Sequence, residues 1–127
     1  MTKPKIILIA GPYRSGTSDD PALMHRNLER LQEAAWPIFA AGHIPMIGEW
    51  AALPVLASAG ASGPLDPMAT QVMYPTAERL LQHCSAVLRL PGASTGVDQD
   101  VAIARERGLP VYYHLQDVPG VAPESQL

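Results

Sequence analysis

Two glycine-bearing segments hold most of the residues in this sequence whose types and spacing could do chemistry. The first, Gly11-Pro12-Tyr13-Arg14-Ser15-Gly16-Thr17-Ser18, follows the phosphate-loop pattern G-x-x-x-x-G-K-[ST] at every position but the lysine, which is Thr17. That lysine neutralises the β- and γ-phosphates, so its loss excludes a nucleoside-triphosphatase. Pro12 also removes one backbone donor. What remains is the Arg14 guanidinium beside Ser15 and Thr17, enough for one phosphate or carboxylate through a bidentate contact. A plain strand-to-helix turn with a solvated arginine fits the same residues equally well.

The second segment, Pro91-Gly92-Ala93-Ser94-Thr95-Gly96, leads into Val97-Asp98-Gln99-Asp100. Thr95 to Asp98 reads as a capping box in which Asp98 reaches back to the amide of the N-cap, which makes Asp98 structural. The Ser94 and Thr95 hydroxyls, the close approach that Gly96 allows and the free amides of a helix start together form a good anion site. Asp100 lies two residues beyond Asp98 and therefore points elsewhere on the helix, free of capping duty. Trp50 and Glu49 could stack on a base and bond its edge, although a core tryptophan in an alanine-rich helix is an equally good account of Trp50. His25, His43, His83 and His114 are scattered without ligand spacing, and Met24, Met46, Met68 and Met73 read as packing.

The elements that must position these residues alternate. Lys5 to Ala10 is a β-branched apolar run closed by Gly11-Pro12, a strand buried on both faces. Asp20-Pro21 caps a helix in which Met24, Leu28, Leu31, Ala35 and Ile38 recur at helical spacing up to Gly42, with Pro37 kinking its last turn. His43 to Ile47 is a short strand that Pro45 confines to an edge or a strand end. The segment 48–67 is rich in Ala, Ser, Gly and Pro, with a helical fragment over Trp50 to Ala57, and reads as a lid. Asp66-Pro67 opens a helix through Leu81 that is interrupted near Pro75. Ser85 to Leu90 is a third strand, Thr95 to Arg107 a helix, and Pro110 to His114 the last strand. The expected fold class is α/β: a small doubly wound, Rossmann-like or flavodoxin-like parallel sheet of four or five strands with flanking helices. In such sheets ligands bind beyond the strand carboxyl ends at the switch point, where both glycine-bearing segments lie.

Composition narrows the partner. The chain has 127 residues, 47% of them hydrophobic and 17% charged, the balance of one globular domain. We expect residues 1–115 to form that domain and 116–127 a tail that is loose or docked on a neighbour. One cysteine, Cys84, cannot pair within the chain, and no spacing suits zinc, so neither a metal nor a cofactor is expected and a reducing, cytoplasmic location is the simplest assumption. The apolar run Ile6 to Ala10 is too short for a signal-peptide core, and no stretch approaches a membrane span. A net charge of -3 argues against a nucleic-acid polymer as partner. The partner should be a small molecule.

Taken in order, Ile9-Ala10-Gly11-Pro12-Tyr13-Arg14, a long helix, Ala86 to Gly92, Ser94-x-Gly96-x-x-x-Asp100 and Gly108-x-Pro110-Val111 resemble the nucleoside 2-deoxyribosyltransferase-like superfamily over nearly the whole chain. The resemblance implies base exchange on deoxynucleosides or hydrolysis of nucleoside 5′-monophosphates. It places at Asp100 the carboxylate that acts at the anomeric carbon, and at Tyr13 a residue positioning the sugar. Arg14 and Ser94 would hold the 5′-phosphate, with Gly11, Ser15, Thr95, Gly96 and Trp50 around the substrate. Asp100 stands where the family usually carries glutamate. The family's second acid, on the helix before the third strand, has only Glu78 nearby, and the aspartate often found at the start of that strand is Ser85. The leading expectation is thus an N-glycosidic bond-cleaving enzyme. A catalytically silent nucleotide-binding module, or a structural domain with Ala51 to Ala61 as its contact face, are the alternatives. The resemblance also implies a homo-oligomer with the site near a subunit interface.

Overall fold

The computed structural model describes residues 3–122. Four parallel strands form one sheet, β1 (Ile6–Ala10), β2 (Ile44–Ile47), β3 (Ala86–Arg89) and β4 (Val111–Tyr112), in the order β2-β1-β3-β4. Leu8 lies opposite both Met46 and Val87, which fixes β1 at the centre. Alternation along β1 feeds two cores. Ile7 and Ile9 pack with Leu31, Ala34 and Ile38 of the helices between β1 and β2. Leu8 and Ala10 pack on the other face with Leu81, Val97 and Ala104. The chain therefore leaves β1 in one direction and β3 in the other, with helices on opposite faces, as expected for a small doubly wound sheet. The reversal places a crevice between the carboxyl ends of β1 and β3.

The stretch read as one long helix divides into α1 (Pro21–Glu33) and α2 (Ala35–Ala40). Pro37 cannot donate to the carbonyl of Glu33, and its ring clashes there, so the break falls four residues before the proline rather than at it. Asp20 caps α1 as expected, accepting from the Ala22 amide at 2.9 Å. The opposite correction applies to α4 (Ala69–Leu81), which runs through Pro75 without interruption. The bond Pro75 forfeits is to Gln71, in the first turn, where the loss is small. The segment 48–67 is more ordered than a lid: α3 (Gly48–Ser58) begins directly where β2 ends and buries Ala52 and Leu56.

The other corrections concern the last strand and the tail. β4 is two residues long rather than five, and the chain then turns through a short 3-10 segment, Leu115–Asp117. Residues 116–122 are not loose, because Val118 is 1% exposed within the first core. Burying such a side chain contributes about 1.5–3 kcal/mol. His43 clamps the same segment. Its Nδ1 accepts from the Lys5 amide at 3.4 Å and its Nε2 lies 2.8 Å from the Pro119 carbonyl oxygen, which selects the neutral tautomer with the proton on Nε2. The end of the expected tail, 123–127, lies outside the described residues. Among those described, no helix is long and apolar enough to cross a membrane.

Candidate active site

The loop after β1 is held at both ends. The Asn27 side-chain amide donates to the Tyr13 carbonyl at 2.9 Å, and buried Thr17 donates its hydroxyl to the Arg14 carbonyl. Ser18 and Asp19 then take positive φ angles of 49° and 60°, and the Arg14 Nε donates to Asp19 Oδ1 at 2.8 Å. This exposed pair holds Asp19 below its usual carboxylate range and keeps the Arg14 guanidinium charged. Across the crevice, α5 (Thr95–Glu106) starts at Thr95 as expected, but its cap lies one residue before the Thr95 of the expected capping box. Ser94 is the N-cap, with extended backbone, and its Oγ accepts from the Val97 amide at 3.3 Å. The third position of the helix is thus Val97, which has no carboxylate, and the capping box closes on one side only. Asp98 is out of register for it and pairs instead with Arg89, 3.2 Å away. The Ser15 hydroxyl donates to Ser94 Oγ at 3.1 Å, joining the two loops.

Between the loops lies a cavity of about 180 Å³. Tyr13, Arg14 and Ser15 wall it on the β1 side, Ser94, Gly96 and Asp100 on the α5 side. A third wall is α4, whose Ala69, Thr70, Met73 and Ala77 form one helical stripe. Glu49, from the first turn of α3, completes it. Gly96 lets the Tyr74 ring close on α5, since a Cβ there would sit 3.3 Å from Tyr74 Cε1. A second groove, of about 470 Å³, lies between α1 and the loop before α4, is lined by Met24, Leu28 and Leu65, and shares Tyr13 and Pro64 with the cavity.

Electrostatics single out two of these residues. Burial pushes the Asp100 carboxyl up to about 7. Burial first, and then the charge of Asp100, push Glu49 up to about 7 as well. Two carboxyls so raised, with the charge of Asp100 acting on Glu49, hold about one proton between them near neutrality. Burial and the charge of Glu49 raise the Tyr13 hydroxyl, which stays protonated.

Of the residues singled out in the sequence, the cavity brings together Gly11, Tyr13, Arg14, Ser15, Ser94, Gly96 and Asp100. Thr95 is exposed on the first turn of α5, away from the lining. Trp50 also lies outside it, donating its indole N–H to Gln32 Oε1 of α1 at 3.0 Å. Glu78 is exposed and does not reach the cavity. Met73, read as packing, lines it. Glu49, expected only to bond the edge of a base, faces Asp100 across the cavity. The signal for a larger role was its place two residues past the end of a strand, the same kind of position that drew attention to the loops after β1 and β3. Among the described residues, no three His, Cys, Asp or Glu side chains come together as metal ligands. Compared with models of protein families, with curated proteins and with solved structures, the chain gives no significant match.

Proposed function

We propose that this cavity cleaves the N-glycosidic bond of a nucleoside 5′-monophosphate, passing the sugar to water or to a second base, with Asp100 acting at the anomeric carbon. The observation that carries the reading is the pair of half-buried carboxylates, one from α3 and one from α5, in one small cavity at the switch point of the sheet. Cleavage at an anomeric carbon passes through an oxocarbenium-like state, and a carboxylate on one face of the sugar meets its developing charge. At about 180 Å³ the cavity falls below the roughly 300–1,000 Å³ of pockets that enclose drug-sized ligands. It suits a sugar, with the base extending to the opening. Tyr13 would position the sugar, and Ser15, Ser94 and the amides at the start of α5 would receive the phosphate. Arg14 is the cation of the lining and must exchange Asp19 for that phosphate. Of the residues that carry the resemblance to nucleoside 2-deoxyribosyltransferase-like proteins, Ile9, Ala10, Gly11, Tyr13, Arg14, Ser94, Gly96 and Asp100 line the same cavity.

The test is a panel of ribo- and deoxyribonucleoside 5′-monophosphates and the matching nucleosides, with free base measured by chromatography. Base release by the wild type that Asp100→Ala abolishes is expected, with monophosphates favoured and the preference lost in Arg14→Ala. Absence of release from every compound rejects the reading. Binding of a monophosphate without turnover would favour the silent nucleotide-binding module, which the Arg14–Asp19 pair and the short Asp100 side chain accommodate. Self-association belongs to the same proposal. Trp36 and Phe39 on α2 remain 69% and 61% exposed, more apolar surface than a monomer comfortably presents. A monomer mass by light scattering at micromolar concentration would remove it.

A further inference from the structure

We propose that Glu49 is the general acid and base of the cavity, giving the departing heterocycle its proton and then withdrawing one from the acceptor. This rests on the reading of Asp100 as the group at the anomeric carbon.

A nucleobase is a poor leaving group as an anion and leaves readily once a ring nitrogen or carbonyl oxygen is protonated. Some group in the cavity must supply that proton. Among the described residues, Glu49 and Asp100 are the carboxyls that line it, and no histidine or lysine does. Tyr13 is held too weakly acidic to give up a proton near neutrality. Glu78, nearest to where relatives by resemblance carry a second acid, is exposed outside the cavity. Glu49 is also rigidly placed, because α3 starts at Gly48 with no loop after Ile47, so its Cα is fixed by the β2 register against β1.

The pair divides the work by charge. With Asp100 ionised, its charge acts on Glu49 and keeps the proton there, the state that the first step needs. In that step the C1′–N bond breaks and its electron pair goes to the base. The Glu49 proton moves to the base, and an Asp100 oxygen bonds C1′ as an ester. In the second step water or an acceptor base bonds C1′ and loses a proton to the Glu49 carboxylate. The Asp100 ester opens, and both carboxyls return to their starting state. The other groups facing Glu49 are Tyr13 and Arg14 from the loop after β1, Tyr74 from α4 and Asp100 from α5. The remaining α4 wall, Ala69, Thr70, Met73 and Ala77, does not titrate.

The experiment compares the wild type, Glu49→Gln, Glu49→Asp and Asp100→Asn on two substrates. One is the best deoxynucleoside 5′-monophosphate; the other is deoxyribose 5-phosphate bearing 4-nitrophenol at C1′, whose leaving group needs no proton. Read in the first turnover, before opening of the ester calls on the base, Glu49→Gln should lose about a hundredfold or more in base release, keep the nitrophenol burst within a few-fold, and lose the alkaline limb of the wild-type pH profile. Glu49→Asp should recover part of the base release, and Asp100→Asn should lose both reactions. If the wild type cleaves and Glu49→Gln slows both substrates equally, or neither, the assignment of Glu49 is overturned and that of Asp100 stands. If the wild type cleaves neither substrate, both fall.

Discussion

Replacing Asp100 by asparagine should make the protein more stable above neutral pH and leave it unchanged in acid. In the unfolded chain Asp100 loses its proton near its ordinary value of 3.8, whereas in the folded cavity it holds the proton to about 7. As pH rises between these values the unfolded state binds fewer protons than the native state, so stability falls with pH. Above about 7 both states are ionised and the deficit stays constant. Each tenfold difference in acidity is worth about 1.4 kcal/mol, which sets a ceiling of about 4 kcal/mol for Asp100. Glu49, raised from 4.5 to about 7, bears a smaller penalty of the same sign. The two do not add, because part of the Glu49 shift is caused by the charge of Asp100.

Asparagine keeps the shape and cannot ionise, so Asp100→Asn should gain about 2–4 kcal/mol at pH 8. For a domain of this size that is a Tm increase of roughly 6–15 °C. Thermal unfolding followed by circular dichroism at pH 4 and pH 8 measures it. An equal difference between variant and wild type at both pH values would refute the reasoning, as would a variant less stable at pH 8. The first result would mean that the carboxyl is not desolvated, the second that its charge has a partner.

Three further expectations rest on different parts of the structure. Gly92 has φ 122°, and a Cβ there would lie 2.6 Å from Pro12 Cγ, so Gly92→Ala should cost about 1–3 kcal/mol, read as a lower denaturation midpoint. Ser94→Ala removes the cap of α5 and the Ser15 link, and should cost about 1 kcal/mol while also weakening monophosphate binding by calorimetry; unchanged stability would show the cap to be dispensable. His43→Leu leaves the Lys5 amide and the Pro119 carbonyl without their partner, and should cost about 1–3 kcal/mol and speed proteolysis within residues 115–122.

How much of this was legible follows from which forces were local. The apolar run of β1, the Asp20-Pro21 start of α1 and the edge position implied by Pro45 are written in single residues and their neighbours. The pointing of Asp100 away from Asp98 follows from helix periodicity alone. The end of α1 at Glu33 was legible too, had the clash been counted back four residues from Pro37. The cap at Ser94 was harder, because Thr95 is an equally good cap by type and only the extended backbone at 94 decides. Glu49 was hidden for a stronger reason. Nothing in Gly48-Glu49-Trp50 says which of the two side chains turns inward. That is settled by α3 packing against α4, a contact between segments with no shared motif. The third wall was invisible likewise, because Ala69, Thr70, Met73 and Ala77 read as an ordinary apolar stripe until another element leaves a space against it.

The origins of the walls separate what is fixed in the site from what can adapt. Glu49 sits two residues beyond β2, and Asp100 six beyond Ser94, whose cap and link to Ser15 tie α5 to the loop after β1. Both carboxylates therefore stand on helices set by the sheet, and their mutual repulsion is a cost the fold bears at fixed geometry. Arg14 and Ser15, by contrast, sit on a loop of ten residues between β1 and α1 that includes two consecutive non-glycine residues in the left-handed region. Such residues cost energy that the exposed Arg14–Asp19 pair offsets only weakly. A ligand anion that drew Arg14 from Asp19 would give up little, so the loop can close on a phosphate without disturbing the carboxylates. On the proposed function, the chemistry would be preorganised and the recognition adjustable, a division that suits a cavity of this small volume.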